Sequence, residues 1–176
     1  MRQELDSLLC QKYPKMMVNR NLPMTETCMC WGFECGDGWY NIINALCGMI
    51  QWHIDQKNKE VARNKWYQRK IVRGQIDEIP QWWLNKYREH GVLTFKPEDT
   101  TRFPQTEVVQ VKEKFGTLRF YTGGGYDDVI GAYIAFAENL TALTCEECGA
   151  PGKLRRGGWV RCLCDEHAKD REPEDE

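Results

Sequence analysis

At 176 residues, with 24 Lys and Arg against 26 Asp and Glu, the chain is long enough to bury a genuine core in one or two domains. Its net charge of −2 is far from the basic balance of a dedicated nucleic-acid binder, and no apolar run approaches the length of a membrane span. Nine cysteines, with acids rather than an apolar leader in Met1–Asp6, point to a reducing cytosol where thiols are free or metal-bound, and seven tryptophans suggest an interface.

Residues 1–13 predict a short helix with Leu5, Leu8 and Leu9 as its stripe, and 14–31, punctuated by Pro14 and Pro23, read as irregular. Asp37 is the expected N-cap of a long amphipathic helix from Trp39, whose apolar residues Ile42, Ile43, Leu46, Cys47, Ile50 and Ile54 recur at helical spacing. Next comes a basic stretch, Lys57, Lys59, Arg63, Lys65, Arg69, Lys70 and Arg73, with Trp66 and Tyr67 embedded and one acid, Glu60. Such a run can hold phosphates and stack bases. The plainer reading is a solvated helix face with its aromatics turned inward, and a third is a surface for an acidic protein or for the chain's own acidic tail.

A helix is expected over 79–90, with Pro80 in its first turn, Trp82, Trp83, Leu84 and Tyr87 as apolar mass, His90 at its C-terminal end and Gly91 as its stop. Residues 96–106 read as a loop. Val108–Glu113 and Thr117–Tyr121 predict a β-hairpin turning at Lys114–Gly116, with Val109 and Val111 on one face opposite Leu118 and Phe120. Gly123–Gly125 reads as a flexible linker. Asp127 and Asp128 open a helix with Ile130, Tyr133, Ile134, Ala137, Leu140 and Thr144 as its stripe, and the tail at 171–176 is acidic.

The most specific signal is Cys145-x-x-Cys148 followed by Cys164-x-x-His167, the ligand spacing of a structural zinc site. The CxxC turn offers two thiolates, Gly157 and Gly158 supply a hairpin turn, and Cys164 and His167 share one face of a helical first turn. Knuckle, hairpin and helix start together look like a treble-clef finger holding one structural Zn2+. Cys162 is expected to pack behind the site, since closed sites stop at four ligands. Cys28, Cys30, Cys35 and Cys47 are four further thiols, but their intervals fit no familiar zinc pattern and Cys47 lies on a helix stripe.

Three pieces of the chain resemble an uncharacterised family of small proteins of bacteriophages and bacterial mobile elements. They are Gly32–Tyr40 (GFECGDGWY), Val109–Tyr121 (VQVKEKFGTLRFY, from Val109), and Thr144–Gly152 (TCEECGAPG) with Leu163–His167 (LCDEH). They cover under half the chain, and the resemblance implies a phage-type accessory protein without bringing an activity.

An enzyme is not expected. The finger hairpin, 153–161, has no His, Asp or Glu to activate water, and the three histidines lack a catalytic setting. Glu34 and Asp37 with Lys112, Lys114 and Arg119 could form a polar site if the hairpin packs beside the first loop, although helix capping and surface ion pairs are the favoured account of them. The expectation is thus an α+β protein. A core over 1–143 carries a basic, Trp-rich insertion at about 57–90, and a zinc-finger module follows at 144–170. The chain would act in the cytoplasm by binding a host protein, possible targets including a defence system. The alternative is nucleic acid, bound through 57–73 with the finger's Arg155, Arg156 and Arg161. The sequence leaves the oligomeric state open.

Overall fold

The computed structural model describes residues 1–169 and 171; apart from Arg171, the acidic tail expected at 171–176 lies outside them. The mixture of helices and small sheets is that of an α+β protein. The chain divides into two compact units, residues 1–52 with 105–176, and residues 53–104. The finger segment therefore groups with the first unit, and the inserted unit is longer at both ends than the expected 57–90.

In the first unit, helix α1 (Gln3–Lys12) leads through two 3-10 turns to a two-residue strand, β1 (Phe33–Glu34). β1 runs parallel to β4 (Thr106–Lys114), which pairs antiparallel with β5 (Thr117–Gly124), so the sheet is mixed, in the order β1-β4-β5. The β4–β5 turn is Phe115–Gly116, with φ of 53° and 75°, the two left-handed positions of a tight hairpin. A bulge between Val108 and Gln110 shifts the pleat. Val108 and Val111, rather than Val109 and Val111, are consequently the buried pair opposite Leu118 and Phe120. Gly123 and Gly124 are part of β5, paired with Glu107 and Thr106, and not a linker.

Helix α4 (Asp128–Thr141) lies against β5. Asp127 caps it, accepting the Ile130 amide at 3.0 Å. The helix also satisfies the free edge of β5: Thr141 Oγ1 accepts the Leu118 amide and Glu138 Oε1 the Phe120 amide, each at 2.9 Å. Its buried residues are Ile130, Ala137 and Thr141, while Leu140 is left partly exposed and Thr144 falls beyond the helix.

The long helix α2 (Tyr40–Val72) begins in the first unit and continues through the basic stretch as far as Val72, with Arg73 in the turn that follows. Ile43, Leu46, Cys47, Ile50 and Ile54 are buried as expected. Asp37 does not cap it; its carboxylate accepts the Arg2 amide at 2.7 Å and pairs with the Arg2 guanidinium, leaving a 3-10 turn at Asp37–Trp39 to start the helix.

In the second unit the stripe of α2 continues through Val61, Asn64 and Tyr67. Helix α3 (Gln81–Lys86) ends earlier than expected, and Arg88–His90 are not helical. Strands β2 (Arg88–Glu89) and β3 (Val92–Leu93) form a small hairpin whose turn is His90–Gly91, both at positive φ. Tyr67, Ile79, Trp83, Leu84 and Tyr87 make the core of this unit. Asn64 ties it together, donating to the Tyr87 hydroxyl (2.8 Å) and the Asp99 carbonyl (2.9 Å) and accepting the Trp83 indole N–H (2.9 Å).

Candidate metal centre

After α4 the chain makes the Cys145–Gly149 knuckle, a hairpin of β6 (Lys153–Arg155) and β7 (Arg161–Leu163), and the short helix α5 (Asp165–Ala168). The knuckle is closed by backbone bonds of 2.8 Å from the Gly149 amide to the Cys145 carbonyl and from the Cys145 amide to the Ala150 carbonyl. Cys164 sits at the N-cap position of α5, and His167 follows within its single turn.

These elements bring Cys145, Cys148, Cys164 and His167 together, with all four ligand atoms within 4.8 Å of one another. Individual separations are 3.7 Å for Cys148 Sγ to Cys164 Sγ, 3.6 Å for Cys145 Sγ to His167 Nδ1, and 3.1 Å for Cys164 Sγ to His167 Nδ1. A tetrahedron with metal–sulfur bonds of about 2.3 Å has edges of about 3.8 Å, so the cluster has the size one ion would require.

The thiols also differ in ways that suit a ligand set. Burial works against ionising Cys145, but amide donors from Cys164, Cys148 and Glu147 outweigh it and bring the thiol down to about 7. At Cys148 the Ala150 amide favours the thiolate, yet desolvation and the neighbouring Cys145 and Cys164 sulfurs leave it raised. A cation among the sulfurs would relieve that crowding. Cys162 stands apart: it is buried, its Sγ lies 3.2 Å from the Ala142 carbonyl oxygen, and burial pushes its thiol up to about 11.

The four form the only such ligand group among the described residues, so Cys28, Cys30, Cys35 and Cys47 do not converge on a second site. Burial raises Cys35 to about 12 and Cys47 further, and both behave as small apolar groups.

Sequence reasoning passed over Glu146, which lies between the first two ligands. It is buried, its Oε1 accepts the Gly36 amide (2.9 Å), its Oε2 accepts Arg161 Nε (3.0 Å), and its backbone carbonyl accepts the Gly38 amide (2.8 Å). The Trp39 indole donates to the Thr144 carbonyl at 2.8 Å. A Cβ on Gly38 would overlap the Cys145 carbonyl and the Gly149 amide, so only glycine lets the two backbones meet. The β4–β5 hairpin closes the other side. Glu113 accepts the Trp159 indole N–H at 2.7 Å, Lys114 lies 5.7 Å from the Trp159 ring centre, and a Cβ on Gly116 would strike Leu154.

The polar constellation is assembled only in part. β1 sets Glu34 beside Lys112, and Lys112 pairs across the hairpin with Arg119, so these three form one row on the open sheet face. Asp37 is engaged with Arg2 and Lys114 with Trp159. Among the finger arginines, Arg155 is buried against Asp165, and Arg161 is held by Glu146 and Glu147.

In the basic stretch, Lys57 covers the Phe103 ring at 4.3 Å, Arg63 pairs with Glu60 and faces Trp82, and Lys70 pairs with Glu78 beside Trp66. Tyr67 turns inward and Trp66 stays half-exposed. Lys65, Arg69 and Arg73 have no acidic partner among the described residues; with Gln68 and Val72 they line one shallow groove along α2. A larger cavity of about 520 Å³ in the same unit is lined by Lys57, Glu60, Asn64, Lys86, Asp99 and Phe103 among others, and Glu60 and Lys86 in its wall pair with each other. No described helix is long and apolar enough to cross a membrane. In comparisons with family models, curated proteins and solved structures, the chain matches none.

Proposed function

We propose that the chain is a non-enzymatic binding protein of the cytoplasm whose treble-clef-like finger holds one structural Zn2+ and whose partner docks on α2 of the second unit. Three thiolates and an imidazole are the donor set zinc prefers, and four protein ligands leave no coordination position for water or substrate. Zinc would hold the knuckle, hairpin and α5 together and supply no reaction chemistry.

The observation that carries the partner reading is the row Lys65, Arg69 and Arg73. These cations recur every fourth residue, about 6 Å apart along the helix, and are not neutralised by any described acid. Half-exposed Trp66 beside them and exposed Trp82 supply the aromatic surface that interfaces favour. On the family resemblance, the partner would be an acidic surface of a host protein, and the use to inhibit or redirect it, for example in a defence system. Nucleic acid is the second reading, favoured by the spacing of the row. It is weakened because Arg155 and Arg161, two of the three finger cations it needs, are consumed internally.

The test is capture from host lysate with and without nuclease, repeated with Lys65→Glu, Arg69→Glu and Arg73→Glu combined. Nuclease-resistant capture that the triple variant loses, with metal content unchanged, supports the host-protein reading. Capture abolished by nuclease transfers it to nucleic acid. Capture unaffected by the triple variant overturns the choice of surface.

A further inference from the structure

Helix α4 carries two apolar stripes, and only one is used. Ile130, Ala137 and Thr141 face the core. A second stripe, Val129, Tyr133, Phe136 and Leu140, continued by Leu143 in the turn that follows the helix, recurs at intervals of four, three, four and three residues, the spacing of a coiled-coil seam. Phe136 and Leu143 are each 66% exposed, and Val129, Leu140 and nearby Tyr126 are also open to solvent. The only charged residues of α4 are Asp128, at its first position, and Glu138, whose carboxylate is turned to the Phe120 amide. Nothing charged interrupts the seam.

The geometry points to a second copy of this chain as the occupant, packed through α4 antiparallel to itself about a two-fold axis beside Phe136. Two features select that occupant. The seam is symmetric in sequence: Phe136 lies midway between Val129 and Leu143, so reversing the helix sets Val129 of one copy opposite Leu143 of the other. A two-fold interface also brings like residues together near its axis, which an uncharged stripe tolerates and a charged one does not. A parallel arrangement would instead align the helix dipoles and place Asp127 and Asp128 beside their own counterparts.

The exposed apolar area of the stripe with Tyr126 is on the order of 500 Å² per copy, so pairing buries on the order of 1,000 Å², the lower limit for a specific interface. Association in the micromolar range follows, rather than an obligate dimer. This inference concerns the first unit and does not depend on the partner surface proposed for the second.

Sedimentation velocity on the metal-loaded full chain, from about 1 to about 300 µM, spans that range. The expected result is a reversible shift from monomer to dimer, and a Phe136→Asp variant that dimerises at least about 100-fold more weakly, since it buries an unpaired charge. Because Phe136 is mostly exposed, the variant should keep its metal and helix content. If it does not, Phe136→Ala, which removes the central side chain alone, is expected to weaken the dimer at least about 10-fold. A photoreactive side chain at position 136 should crosslink to 126–143 of a second copy. A wild-type chain that stays monomeric throughout, variants that dimerise like wild type, or crosslinks to another segment would each overturn the assignment.

Discussion

Glu146 offers a sharp test of how the finger is fixed to the rest of its unit, because Glu147 beside it is a built-in control. Both carboxylates pair with Arg161, Glu147 at 2.6 Å and Glu146 at 3.0 Å. Judged by distance, Glu147 would matter more. Judged by environment, the order reverses: the Glu147 side chain is 45% exposed and that of Glu146 only 7%. An exposed pair contributes at most about 1 kcal/mol, because water screens it and two long side chains must be held still. Removing the charge at Glu146 leaves the Arg161 guanidinium facing a buried amide and weakens the bond from the Gly36 N–H, a cost of about 3 kcal/mol.

Glu146→Gln should therefore lower the midpoint of thermal unfolding by about 6–12 °C, and Glu147→Gln by less than about 4 °C, for a chain of this size. Differential scanning calorimetry of the metal-loaded proteins reads both, with metal content measured alongside to show that the ligands themselves are intact. Equal shifts, or a larger one for Glu147→Gln, would refute the view that burial rather than separation ranks these two pairs.

Cys148→Ser should abolish stoichiometric metal binding, costing more than the 10–100-fold in affinity typical of residues that merely support a ligand; elemental analysis of tag-free protein should fall from one ion per chain towards none. Acid should act in the same direction. The Cys145 thiol is lowered from 9.0 to about 7 in the folded, metal-free chain, so its contribution to stability is complete above 9 and fades as pH falls through 7, while protons also compete with the metal. Metal released into a chromogenic chelator should rise as pH drops, and flat retention into the acid range would count against thiolate ligation. Gly38→Ala should destabilise the first unit by about 1–3 kcal/mol, since backbone rather than a rotatable side chain stands in the way, and urea unfolding would measure it. Asn64→Ala removes three hydrogen bonds, two of them buried, and should cost about 2–4 kcal/mol; amide exchange should quicken within 53–104 while the metal stays bound.

Some of this architecture is written locally and could be read from the chain. The ligand spacing is legible because a tetrahedral site is built from turns of three or four residues, and Gly116 is legible because the hairpin turn it completes is itself local. What escaped reading depends on partners distant in sequence. Glu146 looks like filler between two cysteines until Gly36, 110 residues away, is set beside it. The Val108–Gln110 bulge, which moves Val109 off the buried face, leaves no mark in the alternation of residues. Gly123 and Gly124 imitate a linker because nothing local shows that Glu107 and Thr106 will pair with them. The early end of α3 at Lys86 is likewise hidden, because the His90–Gly91 turn satisfies the same glycine signal as a helix stop.

Three pieces of the chain, residues 32–40, 109–121 and 144–152 with 163–167, share one place in the fold. Gly36, Gly38 and Trp39 meet Thr144–Glu146, and Glu113, Lys114 and Gly116 meet Leu154 and Trp159. All three pieces fall in the first unit, and together they form the joint between sheet and finger. These contacts seat the metal-binding knuckle on the hairpin, a requirement of folding. The row of Lys65, Arg69 and Arg73 lies outside the three pieces, in the inserted unit. Reversing the charges of Lys65, Arg69 and Arg73 together should leave metal content unchanged and abolish partner capture; capture that survives would place recognition on the first unit instead.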